Sequence, residues 1–208
     1  MTQKPTLKKT DAEMDAVKKS MLTHLNRIVI EDQNNSLKKF KVTPENKPIL
    51  QNIHKYLCRV DGPYDPRKGI LFYGSVGSGK TLFLDMIKAC LLDLWVKELT
   101  LFTAQYIKNR FYENEKEIEG YSMGYMVQNY RFLGINDIGL EAKTHSGDEI
   151  IRNVIYERYE RKLMTFGTMN LTIQEFGKRY EFNDNVGRMA DRFKHLFNYV
   201  KLTGDSFR

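Results

Sequence analysis

Cysteine is scarce in this chain, with two cysteines among 208 residues. Cys58 and Cys90 lie far apart and match none of the paired spacings of zinc sites. We therefore expect neither a metal centre nor a disulfide from them. In a reducing compartment, isolated cysteines of this kind are most simply small core residues.

Long hydrophobic runs are also missing. No apolar run approaches the roughly 20 residues that span a bilayer, and residues 1–9 lack the apolar core of a secretion signal. The sequence therefore predicts a cytoplasmic protein without membrane contact.

Neither sign of charge dominates strongly. The 33 Lys and Arg residues outnumber the 26 Asp and Glu residues, for a net charge of +7. This excess favours contact with polyanions, although many basic proteins bind none. Hydrophobic residues at 41% and charged residues at 28% are typical of a globular protein. At this length we expect one core with a short appendage.

The appendage is predicted at the start of the chain. Thr10 and Glu13 have the spacing of a capping box, and residues 11–30 have the periodicity of an amphipathic helix. The polar residues 32–36 favour a linker, so we divide the chain into segments 1–36 and 37–208. The apolar stripe of the helix either packs against its own domain or docks on a partner protein. The stripe comprises Met14, Val17, Met21, Leu25 and Ile28.

The remainder alternates between helical and strand-like stretches, which is typical of βαβ units and a parallel sheet covered on both faces. A helix begins near Thr43, Pro44 or Asn46 and carries Leu50, Ile53, Tyr56 and Leu57 on one side. Strands are predicted at 70–73, 99–103, 132–135, 163–168 and 199–202. Further helices are predicted at 80–95, 104–116, 147–162 and 172–195, the last supported by a capping box at Thr172 and Glu175. We predict a three-layer α/β/α fold with five parallel strands.

A glycine-rich loop follows the first of these strands. Between a buried strand and an apolar helix, this pattern is typical of a P-loop, whose N–H groups enclose the β-phosphate of a nucleotide. The Lys80 ammonium would bind the β and γ oxygens, and the Thr81 hydroxyl would ligate Mg²⁺. We predict ATP with Mg²⁺ as the ligand, against the alternative of a chance match. The loop comprises Gly74, Ser75, Val76, Gly77, Ser78, Gly79, Lys80 and Thr81.

A P-loop NTPase also needs a carboxylate at the tip of a neighbouring strand, where it serves the metal and the attacking water. Asp137, just after the strand at 132–135, is the candidate catalytic and Mg²⁺-binding residue. The alternative is an aspartate in a turn before Gly139.

With these motifs the chain resembles the DnaC-type helicase loaders and their IstB relatives among the AAA+ ATPases, from about residue 40 to the C-terminus. Beyond the P-loop, the resemblance rests on 135–139 with Glu141, on 168–171, and on Arg188, Asp191, Arg192 and Phe193. Residues 189–208 also resemble the ending of such loaders. The resemblance implies a AAA+ core of the ASCE type without a C-terminal lid domain.

One position departs from the family pattern. The strand tip of the family carries two acidic residues, of which the first serves Mg²⁺ and the second serves water. The first is Asn136 here. An asparagine accepts a hydrogen bond from metal-bound water but adds no negative charge, so Mg²⁺ binding is weakened unless Asp137 takes over. Slow hydrolysis, or none, follows as an expectation.

The resemblance assigns roles to three further residues. Asn170 follows the fourth strand and corresponds to a sensor of the γ-phosphate or the attacking water; the alternative is an Asx turn. Arg192, together with Arg188, corresponds to the arginines that reach the γ-phosphate bound by a neighbouring subunit, which implies an ATP-dependent homo-oligomer. The alternative is a solvated basic face.

Aromatic and basic residues are mixed in the middle of the chain. Single-stranded DNA could stack on them, although aromatics at helical spacing are more often core residues. The group comprises Tyr106, Lys108, Arg110, Phe111, Tyr112, Tyr121, Tyr125, Tyr130 and Arg131.

The resemblance implies an ATPase, producing ADP and phosphate, that helps place a replicative helicase on single-stranded DNA, with its N-terminal part gripping the helicase. An IstB-like transposition helper would use the same core with a transposase as partner. A P-loop small-molecule kinase would need an acceptor pocket and usually an arginine-bearing lid, which is not evident in the sequence. A nucleotide-binding scaffold without turnover is the remaining alternative, favoured by Asn136.

Overall fold

The fold is built around a parallel β-sheet. A computed structural model describes residues 9–27, 29–31, 37–95, 98–113, 130–141, 147–180 and 188–203. Its helices are α1 (Asp11–Arg27), α2 (Lys47–Cys58), α3 (Lys80–Trp95), α4 (Ala104–Glu113), α5 (Gly147–Glu160), α6 (Ile173–Tyr180) and α7 (Arg188–Leu196). Its strands are β1 (Val29–Glu31), β2 (Leu37–Lys39), β3 (Gly69–Gly74), β4 (Thr100–Thr103), β5 (Phe132–Ile138), β6 (Met164–Met169) and β7 (Phe197–Leu202).

Five strands form the central sheet in the spatial order β4-β5-β6-β3-β7, and every neighbouring pair is parallel. β3 lies between β6 and β7, so the strand that leads into the glycine-rich loop is inside the sheet. All five predicted strands are present, and their parallel arrangement is confirmed.

Helices cover both faces of the sheet. Successive side chains of a strand point to opposite faces, and Ile70 and Phe72 pack with α1, α2 and α3 whereas Leu71 packs with the helices of the other layer. The buried residues of that second layer come from α4, α5, α6 and α7. The predicted three-layer α/β/α architecture is therefore confirmed.

The N-terminal helix packs against this domain. The predicted capping box is formed, because the Thr10 N–H donates to Glu13 Oε2 at 2.7 Å and the Glu13 N–H donates to Thr10 Oγ1 at 3.3 Å. Val17, Met21 and Leu25 of the apolar stripe are buried in the same cluster as α2 and α3. These three residues are thus covered by the chain itself, Met14 is partly buried against the same cluster, and Ile28 lies outside the described residues.

The predicted end of this helix is wrong. Instead of continuing to residue 30, α1 ends at Arg27, and β1 pairs with β2 in an antiparallel ribbon. Val29 and Ile30 are β-branched, which lowers their helix propensity and suits them to a strand. The predicted linker 32–36 lies outside the described residues.

Two other helix boundaries concern predicted alternatives or undescribed residues. The α2 helix begins at Lys47 after the N-cap Asn46, one of the predicted starts, and the Asn46 Oδ1 accepts the Thr43 N–H at 2.9 Å. Within the predicted helix 172–195 the structure describes α6 and α7, and residues 181–187 lie outside the described part. Residues 114–116, predicted as the end of α4, also lie outside.

Among the described residues, no helix has both the length and the apolar character needed to cross a bilayer.

Replacing Leu25 with alanine tests the docking of α1. Leu25 is buried against α2 and α3, so we expect Leu25→Ala to lower the free energy of unfolding by about 3 kcal/mol, measured by urea denaturation. Leu22→Ala, one position on the exposed side of the same helix, should change it by less than about 0.5 kcal/mol. Equal, small effects of both changes would show that α1 does not share the core.

Candidate functional site

The carboxyl ends of three adjacent strands bring the predicted site residues together. β5, β6 and β3 are neighbours in the sheet and run parallel. Asn136 and Asp137 lie at the end of β5, Asn170 follows β6, and the glycine-rich loop follows β3. Ligands of open parallel sheets bind at this edge.

The loop after β3 has a backbone that only glycine accommodates at key points. Gly74 has φ 145°, and a Cβ at this position would lie 2.2 Å from the carbonyl oxygen of Leu202 in β7. Gly77 and Gly79 have φ of 83° and 86°. A side chain in these conformations is strained, whereas glycine leaves the loop open to a ligand. The loop ends where α3 begins, so the amino end of a helix faces the loop.

Lys80 lies across this loop and is nearly buried, with 6% of its surface exposed. Its Nζ donates to the carbonyl oxygens of Gly74 at 3.0 Å and Ser75 at 2.6 Å. A buried ammonium requires such partners, because desolvation of an unpaired charge is costly. The lysine is therefore held at the loop, where phosphate oxygens would be bound. Thr81 is exposed on the first turn of α3.

A β-bulge shapes the tip of β5. Its register with β6 pairs Ile135 with Gly167 and Ile138 with Met169, with an irregularity between the two pairs. Two residues, Asn136 and Asp137, thus stand opposite one residue of β6. Bulges of this kind re-aim side chains next to functional sites, and both residues are half-buried here.

Thr168 of β6 holds this bulge in place. Its hydroxyl accepts the Asp137 N–H at 3.0 Å and donates to Asn136 Oδ1 at 3.2 Å. Asp137 has φ 58°, a region that aspartate tolerates better than most residues. Asn136 is uncharged, and its side-chain oxygen accepts the Thr168 hydroxyl. Asp137 therefore supplies the anionic group at this tip. Sequence reasoning included Thr168 in the family resemblance but gave it no role.

Asn170 is half-buried between the end of β6 and the start of α6. The helix is capped by Thr172, as predicted: the Thr172 N–H donates to Glu175 Oε2 at 2.8 Å and the Glu175 N–H donates to Thr172 Oγ1 at 3.2 Å. Because Thr172 performs this capping, the helix start does not depend on Asn170.

Arg192 projects from α7 onto α5. Its guanidinium lies 4.2 Å from the centroid of the Tyr156 ring, and its Nη2 is 3.4 Å from Glu160 Oε1. Its side chain is 25% exposed, so it is not a fully solvated basic residue. Arg188 begins the same helix, and its side chain lies outside the described part. Asp191 pairs with His195, with 3.6 Å between Oδ1 and Nε2, rather than with Arg192.

Part of the predicted aromatic and basic group clusters beside the edge strand β4. The Phe102 and Tyr106 rings are stacked with centroids 5.4 Å apart, Tyr130 is 6.0 Å from Phe102, and the Arg110 guanidinium lies 5.5 Å from the Tyr106 centroid. Tyr106 is exposed. Lys108, by contrast, is buried. The Phe111 and Tyr112 side chains, as well as Tyr121 and Tyr125, lie outside the described residues, and Arg131 lies against Phe132.

The residues of the loop fit a nucleotide with Mg²⁺. Gly77 and Gly79 carry no side chain that would fill the loop, and Lys80 supplies a positive charge. The Thr81 hydroxyl, the Asp137 carboxylate and the Asn136 amide are oxygen donors of the kind that Mg²⁺ prefers. In the described part of the chain, no group of three or more His, Cys, Asp and Glu side chains forms a metal cage. Mg²⁺ sites on nucleotides draw most of their ligands from phosphate and water.

Known replication proteins resemble this chain in sequence and in fold. No protein-family model matches the chain. The chain is similar to the replicative helicase loader DnaI of Bacillus subtilis (strain 168), with 24% identity over 149 residues. The match covers 68% of this chain and 48% of that relative, so the chain spans about half the length of DnaI.

Solved structures show the same fold. The DnaC helicase loader superimposes with a TM-score of 0.66 at 17% identity, over 79% of this chain and 93% of that one. The replication initiator DnaA, bound to AMPPCP and single-stranded DNA, superimposes with a TM-score of 0.58 at 17% identity, over 80% of this chain and 49% of DnaA. The chain therefore has the three-layer fold of these replication proteins, and the resemblance of the sequence to the DnaC-like helicase loaders is confirmed.

Proposed function

We propose that this chain binds ATP with Mg²⁺ and uses it to help load a replicative helicase onto single-stranded DNA. The observation that carries the proposal is the alignment of three strand tips: the P-loop with Lys80 after β3, Asn170 after β6 and Asp137 on β5. This arrangement matches the needs of triphosphate binding and hydrolysis, where a cation binds the phosphates and polar groups orient water. The likeness to DnaI and DnaC supports the choice of helicase loading.

In the proposed site each residue has a defined task. Loop N–H groups and Lys80 bind the β and γ oxygens, and bound Mg²⁺ would neutralise charge on the phosphates while held through Thr81 and Asp137. Asn170 would contact the γ-phosphate or the attacking water through its amide. Because Asn136 adds no charge, Asp137 serves both metal and water in this proposal, and hydrolysis to ADP and phosphate is slow.

Arg192 is the proposed link between subunits. In this chain its partners are Tyr156, Tyr159 and Glu160 of α5. The ion pair with Glu160 is partly exposed, and such pairs contribute less than about 1 kcal/mol. Arg192 can therefore exchange Glu160 for the γ-phosphate of a neighbouring subunit at small cost, and Arg188 is the second arginine proposed for this contact. An ATP-dependent homo-oligomer is the assembly that follows.

The cluster beside β4 is the proposed contact for DNA. Tyr106 presents an exposed ring that already stacks on Phe102, and Arg110 adds positive charge next to it. Exposed aromatics beside arginines bind single strands by base stacking and phosphate contact. The structure of DnaA with single-stranded DNA, which shares the fold, supports testing this surface.

The helicase is proposed to contact the exposed side of α1. Val17, Met21 and Leu25 are buried against the domain, so we place the partner-binding role of segment 1–36 in the groove between α1 and α2. Leu22 and Val42, which are 40% and 51% exposed, lie on that groove together with Leu50 and Met14. An apolar groove with exposed leucine and valine suits an amphipathic helix of a partner.

Lys80→Ala tests nucleotide binding. Loss of the ammonium removes a charge-assisted bond to the phosphates, so we expect ATP affinity to fall about tenfold to a hundredfold, measured by titration calorimetry with Mg²⁺ present. Lys88→Ala, an exposed lysine on the same helix, is the matched control and should leave affinity unchanged. Unaltered ATP binding by Lys80→Ala would sink the nucleotide site.

Asn136→Asp tests the weakened metal site. The new carboxylate restores a second negative charge at the tip of β5, so we expect the ATP hydrolysis rate at limiting Mg²⁺ to rise about fivefold or more. Asn109→Asp adds the same charge on the exposed side of α4 and should not change the rate. Should both variants hydrolyse ATP like the parent, Asn136 does not limit turnover, and if none of the three turns over, a scaffold role is favoured.

Tyr106→Ala tests the DNA contact. Base stacking on an aromatic ring contributes about 1–3 kcal/mol per base, so the affinity for a labelled oligothymidylate should fall about fivefold or more, measured by fluorescence anisotropy. Tyr64→Ala removes a half-buried tyrosine at a distant position and should leave DNA affinity intact. Equal affinities of parent and Tyr106→Ala would exclude this surface.

Leu22→Glu tests the partner surface. A charge in the groove between α1 and α2 should abolish co-purification with the replicative helicase of the source organism. Leu92→Glu places the same charge on an exposed leucine of α3 and should preserve it. Capture of a transposase in place of a helicase would favour the IstB-like alternative, and turnover of a small phosphoryl acceptor without any response to DNA would favour a kinase.

A further inference from the structure

A buried carboxylate lies next to the candidate site and has no task in the chemistry proposed above. Glu141 follows the tip of β5, and its side chain is 0% exposed. Burial of a carboxylate costs several kcal/mol unless donors compensate for the lost water. The hydrogen-bond partners of Glu141 therefore indicate which segments its buried side chain connects.

The Glu141 carboxylate receives hydrogen bonds from two separate segments. The Gly139 N–H, in the loop after Asp137, donates to Oε2 at 2.8 Å. The Tyr180 hydroxyl, at the end of α6, donates to Oε1. Arg179 adds a bond from Nη2 to the Glu141 carbonyl oxygen at 2.9 Å and lies 3.5 Å from Oε1. One side chain thus ties the β5 loop to the far end of α6.

The same loop also touches the start of the segment that carries Asn170. Gly139 has φ 90°, and a Cβ there would lie 2.4 Å from Leu171 Cδ1. Leu171 follows Asn170 directly. The loop that follows Asp137 and the segment that contains Asn170 are therefore packed together at one point and hydrogen-bonded through Glu141 at another.

Tyr180 extends this connection to α7. Its ring packs edge-on against Phe176, with centroids 5.1 Å apart, and against Phe193, with centroids 6.4 Å apart. Phe193 is the neighbour of Arg192 in the sequence. Burial, together with the nearby Glu141 carboxylate, raises the pKa of Tyr180, so its hydroxyl stays protonated as a donor. The loop after Asp137, helix α6, which follows Asn170, and helix α7, which carries Arg192, thus meet around the Glu141–Tyr180 bond.

We infer that Glu141 is a positioning residue for the γ-phosphate side of the site: through Gly139 and Tyr180 it fixes the loop of Asp137 relative to the segment of Asn170. This inference rests on the proposed nucleotide function. The proposed nucleotide site then has two parts with different roles. The P-loop on β3 binds the β-phosphate, which ATP and ADP share, without Glu141, whereas Asn170 after β6 and the water-positioning role of Asp137 on β5 act at the γ-phosphate, which only ATP has.

Glu141→Gln and Tyr180→Phe each weaken this connection. A glutamine keeps one acceptor oxygen for the Gly139 N–H, but its NH2 group can only donate to the Tyr180 oxygen, so the two charge-assisted bonds become weaker neutral ones. The phenylalanine variant removes only the hydroxyl and retains the ring packing. Matched controls are Glu157→Gln, which alters a surface pair with Arg161, and Tyr56→Phe, which removes a buried hydroxyl bonded to the Lys68 carbonyl at the opposite end of the sheet.

The affinities for ADP and for AMPPCP, an ATP analogue that is not hydrolysed, provide the measurement. In the full chain we expect both variants to bind ADP within about twofold of the parent and AMPPCP about fivefold more weakly, a split of about 1 kcal/mol. Amide exchange at Gly139, followed by NMR, should become about tenfold faster without nucleotide. The two controls should lower the melting temperature at most and leave the ADP to AMPPCP ratio unchanged.

If Glu141 only stabilises the fold, the affinities for the two nucleotides and the exchange rate of Gly139 should change differently. If both nucleotides weaken equally, or if neither changes while Gly139 exchange is also unchanged, Glu141 does not position this part of the site. Faster exchange of the Gly139 amide with an unchanged ratio of ADP to AMPPCP affinity likewise overturns the inference. The proposed nucleotide binding would stand in that case. Failure of the parent chain to bind either nucleotide would instead overturn the proposed function, and this inference with it.

Discussion

The parallel pairing of β3 with β6 and β7 is the constraint on which the site depends. It fixes the end of β3 beside the end of β6, and it brings Gly74 so close to the Leu202 backbone that no side chain fits. The chain therefore leaves the sheet at a defined point, and α3 begins six residues later. Without this register Lys80 would not lie across the loop carbonyls, and the loop would not lie beside the tip of β6.

Features that depend on neighbouring residues in the chain could be predicted from the sequence. The P-loop, the two capping boxes and the five strands each depend on residues close together in the chain, and all are present in the structure. The end of α1 was not predictable in this way, because the residues after Arg27 continue the apolar periodicity while their β-branched side chains favour a strand. Pairing with β2 decides between these two tendencies, and pairing is not a local property.

Contacts between distant residues were beyond sequence reasoning. Thr168 bonds Asp137 across 31 positions, and Tyr180 bonds Glu141 across 39. Neither pair has a spacing signal, since threonine, tyrosine and glutamate are common in all elements. The docking of α1 is similar: an amphipathic helix shows that it buries a stripe but not against what. The helical period already separates Leu25, in the stripe, from Leu22 outside it, but only the folded chain shows that α2 and α3 cover Leu25.

The surroundings of Asn136 suit an uncharged residue at the first position of the β5 tip. The bulge places Asn136 and Asp137 opposite Thr168, and the hydroxyl of Thr168 bonds both. An uncharged residue at the first position suits this arrangement, because an amide oxygen accepts the threonine proton without adding a second negative charge beside Asp137. The order of asparagine and aspartate therefore concentrates the negative charge on one side chain.

The position of α3 between the phosphate loop and the N-terminal helix has a mechanical consequence. This helix of 16 residues, about 24 Å long, begins at Lys80, and near its other end Asp93 contacts Ser20 and His24 of α1. A single helix thus connects the glycine-rich loop to α1. In the proposed function, a partner bound to α1 and a nucleotide bound at the loop would act on opposite ends of α3.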